Sequence, residues 1–266
     1  MVYYSMTILW PTIVGTVYTT DVMAIGWQSS VVGGGVLLGQ ALGGFAISYV
    51  PKVKWQTITA SVLSMAFVTS LASISAGQHS VFIAMGVLGC ISIGFVDNIT
   101  FPGVTLVIEP QDIGLATGIL GSIRGFGGAV AQALYVSILS TKLATNLPEY
   151  VAPAAIGAGL PTTSLPSLFA GLAVGNFTAV PGITPAIVSV VAQEARRAYI
   201  SSFKIVFLAT IPFSVLLIVA ACFVPNMEKF LGNNVAKRLQ NMGGEARNGK
   251  LEATDVTEKD LGNGSV

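Results

Sequence analysis

Two opposite charges stand in this sequence where an apolar chain has little use for them. Residues 81–139 are almost wholly apolar, with one interruption near Glu109 and Asp112, and they hold Asp97 and Arg124 inside the two runs. Each run is long enough to cross a hydrocarbon core of about 30 Å at about 1.5 Å per residue. Folded back as an antiparallel hairpin at Pro110 and Gln111, the runs bring the pair to one depth. Asp97 lies 11 residues before Ile108, and Arg124 lies 11 residues after Ile113. A lone charge at the centre of a membrane helix costs about 2.5–3.5 kcal/mol on insertion scales, so such residues face a partner or a water-filled path. Two readings follow. One is an ion pair that fixes helix register. The other is a transport path, in which Asp97 carries a proton or holds Arg124, and Arg124 orients an anionic or polar substrate.

Other residues qualify less sharply. Trp10, Gln132 and Tyr135 are polar-tipped side chains inside apolar runs, candidates to line a path, with aromatic packing as the alternative for the two rings. Glu109 and Asp112 flank the turn of the hairpin; they either cap the helix that starts at Ile113 or form a gate-side charge lock with Lys52 or Lys54. No set for enzymatic chemistry is present: there is one histidine, no thiol beside a base, and no paired carboxylates within a run. His79 has no second ligand near it in sequence, and Cys90 and Cys222 fall in apolar runs as small buried hydrophobes, so neither a metal nor a cofactor is implied. Net charge of +1 says nothing about nucleic acid, and no basic patch with interleaved aromatics points to such a partner.

The elements that must position these residues are apolar helices. The 266 residues are 53% hydrophobic and 9% charged, against about a quarter charged in a soluble domain; mean hydropathy is +0.75. Residues 226–266 hold 12 of the 25 charges (13 Lys and Arg, 12 Asp and Glu), which describes a membrane domain followed by a polar tail. The pattern predicts an all-α integral membrane protein with six spans, at about 3–20, 29–49, 57–76, 81–108, 113–139 and 203–224. The first apolar run follows Met1-Val2-Tyr3-Tyr4 without a basic region or a small-residue cleavage site, so it reads as a span and not a signal peptide. Pro11 and Pro102 are expected to bend the first and fourth spans. Gly35, Gly39 and Gly43 stack small residues on one face of the second, and Gly114, Gly118, Gly121, Gly125 and Gly128 recur in the fifth. A phosphate-binding loop is the rival for the first series, but it lacks a preceding strand and a following Lys-Ser/Thr.

Residues 140–202 read as one long connection rich in Pro, Gly, Ala and Thr. Its last part, 184–202, begins with a Thr cap and Pro185 at the first helical position. Its charged group, Glu194, Arg196 and Arg197, places that helix outside the bilayer, running into the sixth span. Lys52, Lys54, Lys229, Lys237, Arg238, Arg247, Lys250 and Lys259 would share the side of both termini, against Lys142, Arg196, Arg197 and Lys204 on the other. The bias of positive charge puts both termini in the cytoplasm. The long connection is then extracellular, where Asn176-Phe177-Thr178 is a glycosylation acceptor. Asn98-Ile99-Thr100, at membrane depth, and Asn263-Gly264-Ser265, on the tail, are expected to stay unmodified. In residues 226–266, Met227, Phe230, Leu231, Val235 and Leu239 fall on one face, as in an amphipathic helix on the inner leaflet or a frayed helix end. The composition beyond Gly243 predicts disorder.

Six spans in a three-plus-three arrangement, with Pro in the first and fourth, match half of a transporter built from repeats. Trp10-Pro11, Tyr18-Thr19-Thr20-Asp21, Gly26-Trp27-Gln28-Ser29-Ser30, the run GILGSIRGFGG at 118–128 and the run YVAPAAIGAGLP at 150–161 resemble the second half of fungal major facilitator transporters. The resemblance covers about residues 3–240. It points to the fourteen-span group that includes trichothecene efflux pumps and, more distantly, siderophore–iron transporters. It implies the C-terminal bundle of a major facilitator fold and proton-coupled efflux of a toxin or drug from the plasma membrane, with ferric siderophore uptake as the alternative. It also implies a second bundle, supplied by an N-terminal segment or by a homodimer partner; without one, a non-transporting six-span membrane protein is the remaining reading. The superfamily's cytoplasmic-loop motif, G-x-L-x-D-R-x-G-R-K, is mostly lost here. Gly44 and Lys52 match, but Ser48, Tyr49 and Pro51 replace its acidic, first basic and second glycine positions.

Overall fold

The computed structural model describes residues 2–224, apart from Pro51, Ile74, Ala76, residues 109–111 and Ala179. Glu109, the hairpin turn, the tail helix and the sequon at Asn263 therefore lie outside the described residues. All regular structure among the described residues is helical: α1 (Val2–Ile13), α2 (Val22–Tyr49), α3 (Val53–Ser70), α4 (His79–Val107), α5 (Ile113–Gly157), α6 (Leu165–Val174), α7 (Pro185–Leu208) and α8 (Ile211–Phe223). Five stretches are long and apolar enough to cross a membrane by length and composition: Val22–Tyr49, Val53–Ser73, His79–Thr105, Ile113–Gly157 and Pro185–Phe223. The expected first span has only a 12-residue α-helix, followed by a π-helical turn over Val14–Tyr18.

The second helix starts earlier than its hydropathy indicates. Asp21 is its N-cap, with Oδ1 accepting from the Met23 amide at 3.1 Å, and this satisfies one of the amides that a helix start leaves open. The glycine series on α2 acts as expected of small residues, and its partner is α4. A Cβ on Gly39 would fall within 2.1 Å of the Ile91 carbonyl oxygen, and one on Gly94 within 2.1 Å of that of Val36. The two backbones touch, which only glycine permits at these positions.

The long connection over 140–202 is mostly helix instead. Helix α5 continues past residue 139, through Pro148 and Pro153, to Gly157. Its apolar stripe continues with it: Val151 and Ala155 are buried against Leu160, Leu168, Val180, Ile187 and Val191 in a small core of their own. That burial offsets the backbone bonds the prolines forgo. The helix closes with the Leu160 amide bonded to the Ala155 carbonyl at 3.0 Å and with Gly159 at φ +98°, the left-handed closure that glycine favours. Helix α6 ends in the same way, with Gly175 at φ +73°. Helix α7 has the expected start, with the Thr184 hydroxyl accepting from the Ile187 amide at 3.3 Å and Pro185 next in line.

The packing also revises the hairpin. Helix α4 lies chiefly against α2 and α3, α5 lies against α7, and α3 receives α8; α4 and α5 meet only lightly. The main core gathers Met6, Leu9 and Trp10 of the first helix and Val14 of the π-helical turn with Phe82, Cys90, Tyr135, Phe203 and Phe207.

Candidate functional site

Asp97 and Arg124 meet across the light contact between α4 and α5. Arg124 Nη1 donates to Asp97 Oδ1 at 2.5 Å, with the Asp97 side chain 23% and the Arg124 side chain 35% exposed. The second carboxylate oxygen is also engaged, accepting from Gln40 Nε2 of α2 at 3.2 Å. Gln40 reaches it because the neighbouring glycines bring α2 and α4 into backbone contact: Gly39 lies on Ile91, and Gly43 on Phe95 and Asn98. The guanidinium carbon is 5.3 Å from the Phe101 ring centroid and 5.8 Å from that of Tyr3, within range of a cation–π interaction. Phe101 stands one turn beyond Asp97 on α4, and Tyr3 comes from α1. Four helices thus hold one ion pair.

The pair borders a cavity of about 410 Å³ whose lining is otherwise mostly apolar, including Ile93, Leu120, Phe213 and Leu217, with Tyr3 and Thr100 as its other polar-tipped residues. A charge in such a setting is strengthened by low dielectric and keeps contact with solvent through its exposed edge. Both carboxylate oxygens are thus engaged, one by the guanidinium and one by the Gln40 amide.

The other candidates disperse. Trp10 is fully buried, stacked on Phe82 at 4.3 Å with its indole N–H donating to the Gln28 carbonyl at 2.8 Å. Tyr135 is fully buried against Phe213, and its hydroxyl has no hydrogen-bond partner among the described residues. Gln132 is exposed. Lys52 is exposed at the N-cap of α3 with φ 70°, and Lys54 is half-buried in the first turn of that helix. Asp112 occupies the N-cap position of α5, where its side chain accepts no amide. Asn176 is exposed, its Oδ1 accepting from the Thr178 amide at 3.0 Å and hydroxyl at 2.8 Å. His79 opens α4, hydrogen-bonded to Gln28 Oε1 at 2.9 Å and stacked on Tyr18; no cluster able to hold a metal occurs among the described residues.

Sequence reasoning missed three members of the site. Gln40 is the one amide side chain within the glycine-rich part of α2, a signal of the same kind as Asp97. Tyr3 reads as an interfacial aromatic, and Phe101 as one apolar residue among many.

Comparison with known proteins adds an independent line. The sequence profile of the fungal trichothecene efflux pump family matches residues 1–259. The trichothecene efflux pump TRI12 of Fusarium sporotrichioides is 24% identical over 216 residues, covering 80% of this chain and 36% of the relative. The MFS-type transporter prx5 of Penicillium rubens is 28% identical over 227 residues, covering 84% of this chain and 41% of the relative. The chain therefore spans roughly two fifths of the length of these relatives or slightly less. No solved structure matches it. With these relatives and its long apolar helices, the molecule is an integral membrane protein. The chain belongs to the fungal trichothecene efflux pump family.

Proposed function

We propose that this chain forms the C-terminal bundle of a proton-coupled transporter that exports a toxin or drug across the plasma membrane, with both termini in the cytoplasm. The observation that carries the reading is the Asp97–Arg124 pair, held by Gln40 and two aromatic rings beside a partly solvated cavity. Charges at such depth are costly unless they serve a path or a partner, and here they have both. Asp97 is the proton-binding group, and Arg124 is the cation that it holds or releases toward a polar or anionic substrate. Lys52, Lys54, Glu109 and Asp112 form the gate-side charges.

A single bundle leaves this site open on one side. The first half of α5 exposes Leu115, Ile119, Ile123 and Phe126, and Gly114, Gly118, Gly121 and Gly125 have nothing within 4 Å of an added Cβ. Such a face accepts close approach by another helix. We assign it to the second bundle, from an N-terminal segment or a second copy, with lipid covering the remaining apolar surface.

Expression of the complete transporter containing this chain in a toxin-sensitive fungal host tests the direction. Export predicts lower toxin accumulation and higher resistance. Growth rescue of iron-starved cells by ferric siderophores, without resistance, would overturn export in favour of uptake.

A further inference from the structure

Helix α7 has two opposed faces. Ile187, Val191, Ala195, Ala198 and Ser202 recur at three- and four-residue spacing and are buried. Gln193, Arg196, Arg197, Ile200 and Lys204 cluster on the face about half a turn away and line a cavity of about 1020 Å³. Tyr150 of α5 and Ser75 and Gly77 of the α3–α4 connection complete its walls, so three separate parts of the chain meet there. The lining holds three cations and no carboxylate. Glu194, on the flank, engages Arg197 Nη1 at 2.9 Å, and among the described residues neither Arg196 nor Lys204 has an ion-pair partner.

This arrangement has no packing rationale, because the buried face of α7 already supplies the packing. Nor is it an interrupted span: the cations end at Lys204, and the apolar run of α7 and α8 follows. They therefore stand where the helix passes from polar to apolar surroundings. From Arg196 to Lys204 the ladder extends roughly 12 Å along the axis. Two guanidinium forks match phosphate oxygens bidentately, and the ammonium adds a point charge about two turns on.

We propose that this cavity is a binding site for a phosphate-bearing anion at the membrane boundary, distinct from the Asp97–Arg124 site and independent of the transport reading. The phosphate can belong to an anionic lipid headgroup or to a soluble phosphate compound. Arg196, Arg197 and Lys204 hold it, with the Tyr150 hydroxyl, Gln193 and Ser201 as neutral donors on the walls.

The test uses the full chain in phosphatidylcholine nanodiscs, with thermal unfolding followed by tryptophan fluorescence. One arm titrates inorganic pyrophosphate; the other introduces phosphatidic acid into the disc. A dose-dependent rise in unfolding temperature in either arm is expected, and the arm that responds identifies the source of the phosphate. R196Q/R197Q/K204Q should weaken the response by about tenfold or more, whereas Lys142→Gln, a cation outside the cavity, should retain it. If the triple variant does not fold, Arg196→Gln and Lys204→Gln are read singly for the same loss. A wild-type protein that responds in neither arm, or a response that survives the substitutions, overturns the proposal.

Discussion

Breaking the intramembrane ion pair from either side should give unequal losses. Removing one partner of a fully buried pair costs about 3–5 kcal/mol because the other charge is stranded, whereas an exposed pair is worth about 0.2–1 kcal/mol. Asp97 at 23% and Arg124 at 35% exposure lie between these limits. In Asp97→Asn the remaining guanidinium keeps the faces of Tyr3 and Phe101, each worth about 0.5–1 kcal/mol, and an amide oxygen that can still accept. In Arg124→Gln the remaining carboxylate keeps only the Gln40 amide, at 3.2 Å. We expect losses of about 1 kcal/mol for Asp97→Asn and about 2 kcal/mol for Arg124→Gln, with a coupling of about 1 kcal/mol in the double variant. In a domain of this size each kcal/mol moves the midpoint by about 2–4 °C. Thermal unfolding of the detergent-purified chain and its three variants reads all of this. Losses that add to within about 0.3 kcal/mol, or a larger loss for Asp97→Asn, would refute the geometry on which the site rests.

Three further outcomes follow from the packing. Gly39→Ala places a methyl group against the Ile91 carbonyl and should cost about 1–3 kcal/mol in the same melt, whereas Gly118→Ala meets open space and should leave the midpoint unchanged. Trp10→Phe keeps the ring stack but leaves the Gln28 carbonyl without its 2.8 Å donor; it should lose about 1–2 kcal/mol, while Tyr18→Phe, whose ring stack on His79 persists, loses less. Protein expressed in a fungal host should lose mass on glycosidase treatment, and Asn176→Gln should abolish that change. A change that persists in the variant would place the modification elsewhere.

Much of this architecture was legible because membrane helices write their constraints in composition. Apolar runs, the depth match of Asp97 and Arg124, the glycine spacing on α2 and the Thr184-Pro185 start need only length, charge and helical period. What escaped had a physical reason in each case. Asp21 opens α2 well before the hydropathy rises, because a cap acts through one hydrogen bond and not through apolarity. Helix α5 runs through Pro148 and Pro153 because Val151 and Ala155 bury against residues distant in sequence, an influence that local propensity does not contain. The ion pair itself did not need a tight hairpin: α4 packs mainly on α2, and the long arginine side chain closes the gap from α5. Gln40 joins the site through that α2–α4 contact, so its role is visible only once the glycines are known to face α4.

The most direct test of the account is proton-coupled transport by the complete transporter carrying Asp97→Asn, measured as toxin efflux from cells or vesicles under an imposed pH gradient, with surface abundance held equal. The account predicts loss of the pH-gradient dependence, with the protein still folded and present in the membrane. Efflux that responds to the gradient as in the unmodified protein would contradict it.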